Sequence, residues 1–190
     1  ESKEVREFGT VPLDGFIVHR PGNLDFERAA CLGLAALTAF HCVATVKASE
    51  GDVELVVGAT GGVGSYAVQL AASRGAKVVA SALPQDEAWI RGLGADEIVD
   101  YSGDVVAAML GRYPEGVDGL IVAAHVGDGF GALTDLVKKG GRIASTVGGA
   151  DVEALAQRGV LATNVIGHTD PEAFARVVQM AADGTLSVPI

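Results

Sequence analysis

The sequence predicts an α/β fold, a doubly wound parallel sheet of six strands with helices on both faces. Two observations carry this prediction. Short apolar runs alternate with segments of helical periodicity, and a glycine-rich turn follows the first of these runs. Strands that are apolar on both faces are typical of parallel sheets covered on both sides. With 190 residues and 49% hydrophobic content, the chain supplies one well-filled core, so we expect a single domain.

The first part of the chain is predicted to be helical after a short edge strand. Residues 15–19 read as a strand that a Pro-Gly pair stops. Asp25 is expected to cap a helix, and residues 29–48 continue in helical periodicity with a break at Gly33. Glu54 lies in the strand that follows. Because a buried, unpaired carboxylate is costly, we expect Glu54 at the solvated amino end of that strand.

The rest of the chain alternates between strands and helices. The first strand begins after Asp52, and further strands are predicted over residues 77–80, 97–99, 117–124, 142–147 and 160–166. Helices are predicted from Val63 to a stop at Gly75 and over residues 84–93, 104–110, 131–139, 151–158 and 171–182. The last helix has Pro at its first position and Gly184 beyond its end, which is the usual asymmetry of helix termini.

A glycine-rich turn joins the first strand to its helix. Gly58, Gly61 and Gly64 let the backbone turn sharply and approach a pyrophosphate, whose charge the helix N-terminus favours. This pattern is typical of a Rossmann-type dinucleotide-binding domain, in which the ligand lies where the strand order reverses. The first, fourth and fifth strands should border that crevice. Their carboxyl ends are residues 58–64, 123–127 and 146–149.

Charge and composition exclude several classes of function. The net charge is −10, and Lys and Arg are scattered singly, so we expect no nucleic-acid partner. No apolar run is long enough to span a membrane and the N-terminus is polar, so no membrane partner and a cytoplasmic location are expected. Cys31 and Cys42 are expected to be buried, reduced thiols.

Several stretches, in order along the chain, carry a resemblance to a known family. They are residues 29–40, 58–64, 93–96, 99–101 and 139–142. Together they resemble the medium-chain dehydrogenase/reductases, and within them the zinc-independent quinone oxidoreductase and zeta-crystallin-like branch. The resemblance implies that residues 1–22 are the edge and linker of a GroES-like catalytic domain, and that residues 23–190 are the dinucleotide-binding domain. Because the chain begins at Glu1 rather than Met, we expect a fragment that lacks most of the substrate pocket.

The resemblance also implies the metal content. Zinc-dependent members place a cysteine ligand early in this domain, and the matching position here is Leu34. Cys31, His41 and Cys42 lack the spacing of a ligand set. We therefore expect no metal.

The end of the second strand is the position that selects the cofactor. NAD-binding domains carry an acidic residue there, whereas this chain has Ser81 followed by Ala82. NADP-binding members of the branch use a serine, a lysine and a tyrosine, which match Ser81, Asp86 and Tyr101. Ser81 and Tyr101 agree with this pattern, whereas Asp86 replaces the lysine and its negative charge would repel a phosphate. The resemblance therefore favours NADP(H), with NAD(H) as the alternative.

The expected cofactor-binding residues follow from the turn and from the resemblance. They are Thr38, Ala59, Gly61, Gly62, Val63, Gly64, Ser81, Tyr101, Ala124, His125, Val147 and Gly148. Thr38 can equally be a packing residue and His125 can equally have a local structural role, whereas His168 is expected to be a loop residue. No catalytic residue is assigned, because no Ser/His/Asp or Cys/His spacing supports nucleophilic catalysis.

The resemblance implies an NADPH-dependent, zinc-independent oxidoreductase that transfers hydride to a quinone, an enone or a related carbonyl-conjugated substrate. Two alternatives stay open. One is an extended or atypical short-chain dehydrogenase, whose glycine pattern the turn also fits, and the other is a nucleotide-binding module without chemistry of its own. Family members often dimerise through the last strand of this domain, so the strand from Val160 to Ile166 is a candidate homodimer edge.

Overall fold

The chain folds into one parallel sheet. The computed structural model describes residues 17–168 and 170–189. Its strands are β1 Val53–Val57, β2 Lys77–Ser81, β3 Glu97–Val99, β4 Val117–Val122, β5 Val137–Ser145 and β6 Leu161–Asn164. They pair in the order β3-β2-β1-β4-β5-β6, and every neighbouring pair is parallel. The doubly wound α/β fold that the sequence predicts is therefore confirmed.

Helices cover both faces of this sheet. They are α1 Phe26–Ala30, α2 Leu37–Val46, α3 Gly62–Ala72, α4 Glu87–Gly92, α5 Val105–Arg112, α6 Phe130–Thr134, α7 Val152–Gln157 and α8 Pro171–Ala182. One apolar core lies under α2, α3, α4 and α8, and the other lies under α5, α6 and α7. Within β1, Val56 faces the first core while Leu55 and Val57 face the second, so both faces of the central strand are buried.

The strand order reverses beside β1, which lies between β2 and β4. Val56 is in register with Ala80 on one side and with Ile121 on the other. Beyond the last pair, Ala123 donates its N–H to the carbonyl of Val57 at 2.9 Å. The carboxyl ends of β1 and β4 are therefore adjacent, and they form the edge at which ligands bind in this class of fold.

Aspartate side chains start four of the helices. Asp25, Asp104, Asp151 and Asp170 each precede a helix and accept an N–H from the residue three positions later. This pairing satisfies one of the free N–H groups of the first turn and contributes about 1 kcal/mol. The cap predicted at Asp25 is confirmed.

Two predicted helices differ from the structure. The helix predicted over residues 29–48 is interrupted at the predicted break, Gly33, by a π-helical segment at Leu32–Ala36. It ends earlier than predicted, at Val46, after which Lys47 is left-handed with φ 59°. The helix predicted over residues 131–139 ends at Thr134, because Val137 already pairs with Val117 of β4. An apolar run this short fits either periodicity, and the pairing with a neighbouring strand decides it.

The expectation for Glu54 is wrong. Its side chain is fully buried, and neither carboxylate oxygen has a hydrogen-bond partner among the described residues. Glu54 is in register with Gly119 of β4, and a Cβ built at Gly119 would overlap its carboxylate. The glycine therefore makes the room for this side chain. Because β1 is the central strand, even its second residue is covered from both sides.

β3 and β6 are the two edges of the sheet. The homodimer through residues 160–166 stays a prediction, as does the division at residues 22 and 23. The strand predicted over residues 15–19 falls partly outside the described residues, and residues 17–19 form no strand. Over the described ranges, no helix has the length and apolar character needed to cross a membrane.

Candidate nucleotide-binding site

A cavity opens at the carboxyl edge of the sheet, where the strand order reverses. Its volume is about 620 Å³, which is within the usual range for a small-molecule site. Gly58 and Gly61 of the glycine turn line it, together with Ala124 and His125 after β4. Ser81 at the end of β2 and Tyr101 after β3 complete the opposite side. Five predicted cofactor-binding residues, Gly61, Ser81, Tyr101, Ala124 and His125, are thus brought together.

The glycine turn has the geometry of a phosphate cradle. Gly58 has φ +83°, and a Cβ at this position would lie 2.6 Å from the Cβ of Ala124. A Cβ at Gly64 would overlap the carbonyl of Gly58. Gly61 precedes α3 and supplies no side-chain cap, so the first N–H groups of this eleven-residue helix stay available to an anion. The residues present therefore fit a dinucleotide pyrophosphate.

Ser81 supports the turn from the neighbouring strand. Its hydroxyl is buried and accepts the N–H of Gly58 at 3.0 Å. A serine hydroxyl that accepts one hydrogen bond still has a proton to donate. Ala82 is fully buried, and Asp86, which lies in the 3-10 turn Pro84–Asp86, does not line the cavity. No acidic side chain from the end of β2 therefore enters this site.

Two polar residues of the lining are absent from the predicted set. Asp104 lines the cavity near Tyr101, and its carboxylate also accepts the N–H of Ala107 at 2.9 Å. Thr60 lines it from within the glycine turn. The cap pattern before α5 identified Asp104 as a helix start. Only the packing of the β3–α5 loop shows that Asp104 also lines the cavity.

The other predicted residues lie outside the cavity lining. Ala59 is buried, and Gly62, Val63 and Gly64 form the first turn of α3. Val147 and Gly148 follow β5 on the same edge of the sheet. Thr38 is buried in α2 and lies beside the loop after β6, where a Cβ at Gly167 would be 3.9 Å from its hydroxyl oxygen.

Comparison with known proteins identifies the family. A sequence profile described as zinc-binding dehydrogenase matches residues 62–183. The chain belongs to this family. It confirms the resemblance to medium-chain dehydrogenase/reductases, and the alternative of a short-chain dehydrogenase is therefore wrong.

The match to individual relatives covers only part of the length of each relative. A zinc-type alcohol dehydrogenase-like protein of Staphylococcus epidermidis is 31% identical over 139 residues, which are 69% of this chain and 41% of the relative. An NADPH-dependent alkenal/one oxidoreductase of Arabidopsis thaliana is 30% identical over 131 residues, 68% of this chain and 32% of that protein. The solved quinone oxidoreductase of Coxiella burnetii superposes with a TM-score of 0.81 at 28% identity and covers 91% of this chain and 54% of that one. The chain thus spans about half or less of these relatives.

Zinc-dependent members of the family have a cysteine ligand early in this domain, and the residues of this chain do not supply one. Leu34 has an apolar side chain that is 74% exposed. Cys31 donates its thiol to the carbonyl of Glu27 at 3.4 Å. Cys42 is fully buried, and this burial raises the pKa of its thiol to about 12, whereas zinc binds the thiolate.

His168 lies in a loop, as predicted, and His41 lies on helix α2. Their rings lie 4.1 Å apart between centroids, a contact that was not predicted. Nothing in the sequence pattern joins α2 to the loop before α8. This contact is a product of the tertiary fold.

Proposed function

We propose that this chain holds NADPH for a reductase that passes hydride to a quinone, an enone or a related carbonyl-conjugated substrate without a catalytic zinc. The observation that carries the proposal is the cavity at the reversal of strand order, in which a glycine turn and a serine, but no acid from the end of β2, face the same space.

Binding of the pyrophosphate is assigned to the turn. Gly58 and Gly64 let the backbone come close, and the N-terminus of α3 offers N–H groups and the positive end of its dipole. The hydroxyl of Ser81 holds the turn in this shape through the N–H of Gly58. NAD and NADP share the pyrophosphate, so these contacts support dinucleotide binding without distinguishing the two cofactors. The residues around the adenosine ribose determine which cofactor binds.

The preference for NADPH is supported by the end of β2. Ser81 and Ala82 present no carboxylate that would repel a 2′-phosphate, and Asp86 is outside the cavity lining. Tyr101 is 47% exposed at the mouth of the cavity and offers a flat aromatic face to a base. One relative is named an NADPH-dependent alkenal/one oxidoreductase, and others are named NAD(P)H oxidoreductases.

The reaction class is supported by the names of the relatives. They include quinone oxidoreductase, alkenal/one oxidoreductase and trans-enoyl reductase. A bound nicotinamide supplies the hydride in such reactions. The contribution of this chain is to position the ring and to exclude water, and the resemblance offers Thr38, Val147 and Gly148 for the nicotinamide end.

Calorimetric titration tests the cofactor assignment. We expect NADPH to bind the 190-residue chain about tenfold more tightly than NADH, equivalent to about 1.4 kcal/mol. Tyr101→Ala should weaken NADPH binding, whereas the matched control Tyr101→Phe, which keeps the ring, should not. Tighter binding of NADH would contradict the preference for NADPH, and binding of neither would refute the dinucleotide site.

The reductase assignment needs a second assay. NADPH oxidation with a quinone and with an enone should be compared between this chain and a longer chain that contains it. Turnover by the longer chain supports the reductase. NADPH binding without turnover by either chain would instead identify a nucleotide-binding module.

A further inference from the structure

Three metal-ligating side chains meet away from the glycine turn. His41 comes from α2, and His168 and Asp170 come from the loop that leads into α8. Nε2 of His41 lies 4.0 Å from Oδ2 of Asp170. One ligand atom from each of the three residues lies within 4.8 Å of the other two. The three side chains thus form a compact cluster with two imidazoles and one carboxylate.

Hydrogen bonding does not satisfy this cluster. Nε2 of His41 is buried and has no hydrogen-bond partner among the described residues, although leaving such an atom unpaired costs about 1 to 3 kcal/mol. Oδ1 of Asp170 is occupied as the cap of α8 by the N–H of Ala173, at 2.9 Å. Its second oxygen, Oδ2, is the one that faces His41. A buried nitrogen and a carboxylate oxygen therefore point toward one space without closing a hydrogen bond.

His41 is prepared for coordination rather than for charge. Burial lowers the pKa of His41, the neighbouring His168 lowers it further, and Asp170 acts in the opposite direction. A neutral imidazole is the form that binds a metal. Nδ1 of His168 lies 3.3 Å from the carbonyl of Ile166. An N–H at Nδ1 would leave the lone pair on Nε2, which is the usual arrangement of a metal-bound histidine and its supporting carbonyl.

We propose that His41, His168 and Asp170 bind a divalent transition-metal ion, with Zn²⁺ as the best-suited ion. Three protein ligands of the N and O type leave a fourth position for water, as in open zinc sites. Ligand atoms around tetrahedral zinc are about 3.3 Å apart, from bond lengths near 2.0 Å. The 4.0 Å between Nε2 of His41 and Oδ2 of Asp170 must therefore shrink on binding, and the exposed side chain of His168 must move to complete the site.

This site is distinct from the zinc position that the family resemblance implies. That position is Leu34, which has no donor atom, and none of the three cluster residues occupies it. The two regions are nevertheless adjacent, because a Cβ at Gly167 would lie 3.6 Å from Leu34. A bound ion would tie α2 to the loop before α8 and stabilise the folded chain by mass action. The inference does not depend on the proposed reductase activity.

Zinc titration of the metal-stripped chain tests the site in the absence of any nucleotide. We expect one equivalent of Zn²⁺ to bind and to raise the melting temperature, and Co²⁺ at the same site to give the visible absorption of a low-coordinate complex. His168→Ala and Asp170→Asn should each weaken Zn²⁺ binding at least tenfold. Asn keeps the helix cap, so circular dichroism should show both variants folded. His19→Ala removes an exposed histidine outside both the cluster and the cavity and should bind Zn²⁺ as the parent does.

Cys31→Ser serves as the control for a thiol that could capture zinc by itself. Unchanged Zn²⁺ affinity in His168→Ala, or loss of binding in Cys31→Ser, would overturn the proposal. Nucleotide titration of the same samples separates the two proposals: a chain that binds Zn²⁺ but not NADPH refutes only the proposed function, and the reverse refutes only this site.

Discussion

Replacing the buried carboxyl of Glu54 by an amide should change how the stability of this protein depends on pH. Burial, reinforced by the negative charges of Asp52 and Asp118, raises the pKa of Glu54 from 4.5 to about 8, while the positive charges of Arg142 and Arg74 act in the opposite direction. Glu54→Gln keeps the size of the side chain above Gly119 and removes the titration. The variant therefore isolates the cost of keeping this group protonated in the fold.

The magnitude follows from proton linkage. Between pH 4.5 and about 8 the folded chain keeps the proton on Glu54 while the unfolded chain releases it. The folded state thus binds more protons, and its free energy of unfolding falls as the pH rises, by about 1.4 kcal/mol for each pH unit well inside this window. Between pH 5 and pH 7 the loss amounts to roughly 2 to 3 kcal/mol. Glu54→Gln should not show this loss.

Urea denaturation at pH 5, 6, 7 and 8 measures the effect, with the single tryptophan, Trp89, as the probe. The difference in free energy of unfolding between Glu54→Gln and the parent should grow with pH and level off near pH 8. Glu115→Gln removes an exposed carboxylate and controls for a general effect of charge, so its difference should stay nearly constant. A constant difference for Glu54→Gln would show that Glu54 titrates normally, and the reasoning would fail.

Further predictions concern the glycines and the turn. Gly64→Ala should abolish NADPH binding and destabilise the fold by a few kcal/mol, because its Cβ would overlap the carbonyl of Gly58. Gly62→Ala is the control, because its Cβ would lie 3.5 Å from its nearest neighbour. It should change neither NADPH binding nor the melting temperature. Gly119→Ala should lower the melting temperature sharply, because its Cβ would overlap the Glu54 carboxylate. Adding Glu54→Ala to the same chain should recover most of that loss. If the two substitutions changed the stability additively, the contact between these residues would be contradicted. Ser81→Ala leaves an N–H of the turn without its acceptor and should cost about 1 kcal/mol in urea denaturation and weaken NADPH binding; an unchanged affinity would show that the turn holds its shape without the hydroxyl.

Much of the fold was predictable because its signals are local. The helix over residues 171–182 begins and ends as predicted, since Asp170, Pro171 and Gly184 mark its two ends within a few residues. The six strands follow from short apolar runs, and their order follows from the parallel α/β class. Where two periodicities fit the same residues, as over residues 131–139, local signals were not sufficient, and the pairing of Val137 with Val117 decided the structure.

The environment of Glu54 shows a second limit of sequence reasoning. Burying a carboxylate is costly, so a glutamate is expected to avoid the core. The sequence prediction for Glu54 rested on this general preference. The tertiary structure overrides it, because Gly119, which is 65 positions further along the chain, leaves room above the neighbouring strand. No pattern around either residue carries that information.

The sequence by itself determined the fold class, the family and the position of the glycine turn, because a strand, a turn and a helix that are consecutive in the chain form that feature. Only the tertiary structure decided which side chains share a space: Asp104 with Ser81 and His125 at the cavity, and His41 with His168 and Asp170 at the proposed metal site. The physical reason is the same in both cases. Such groups come from segments that are distant in the chain, and their contacts exist only after the sheet and its helices have packed.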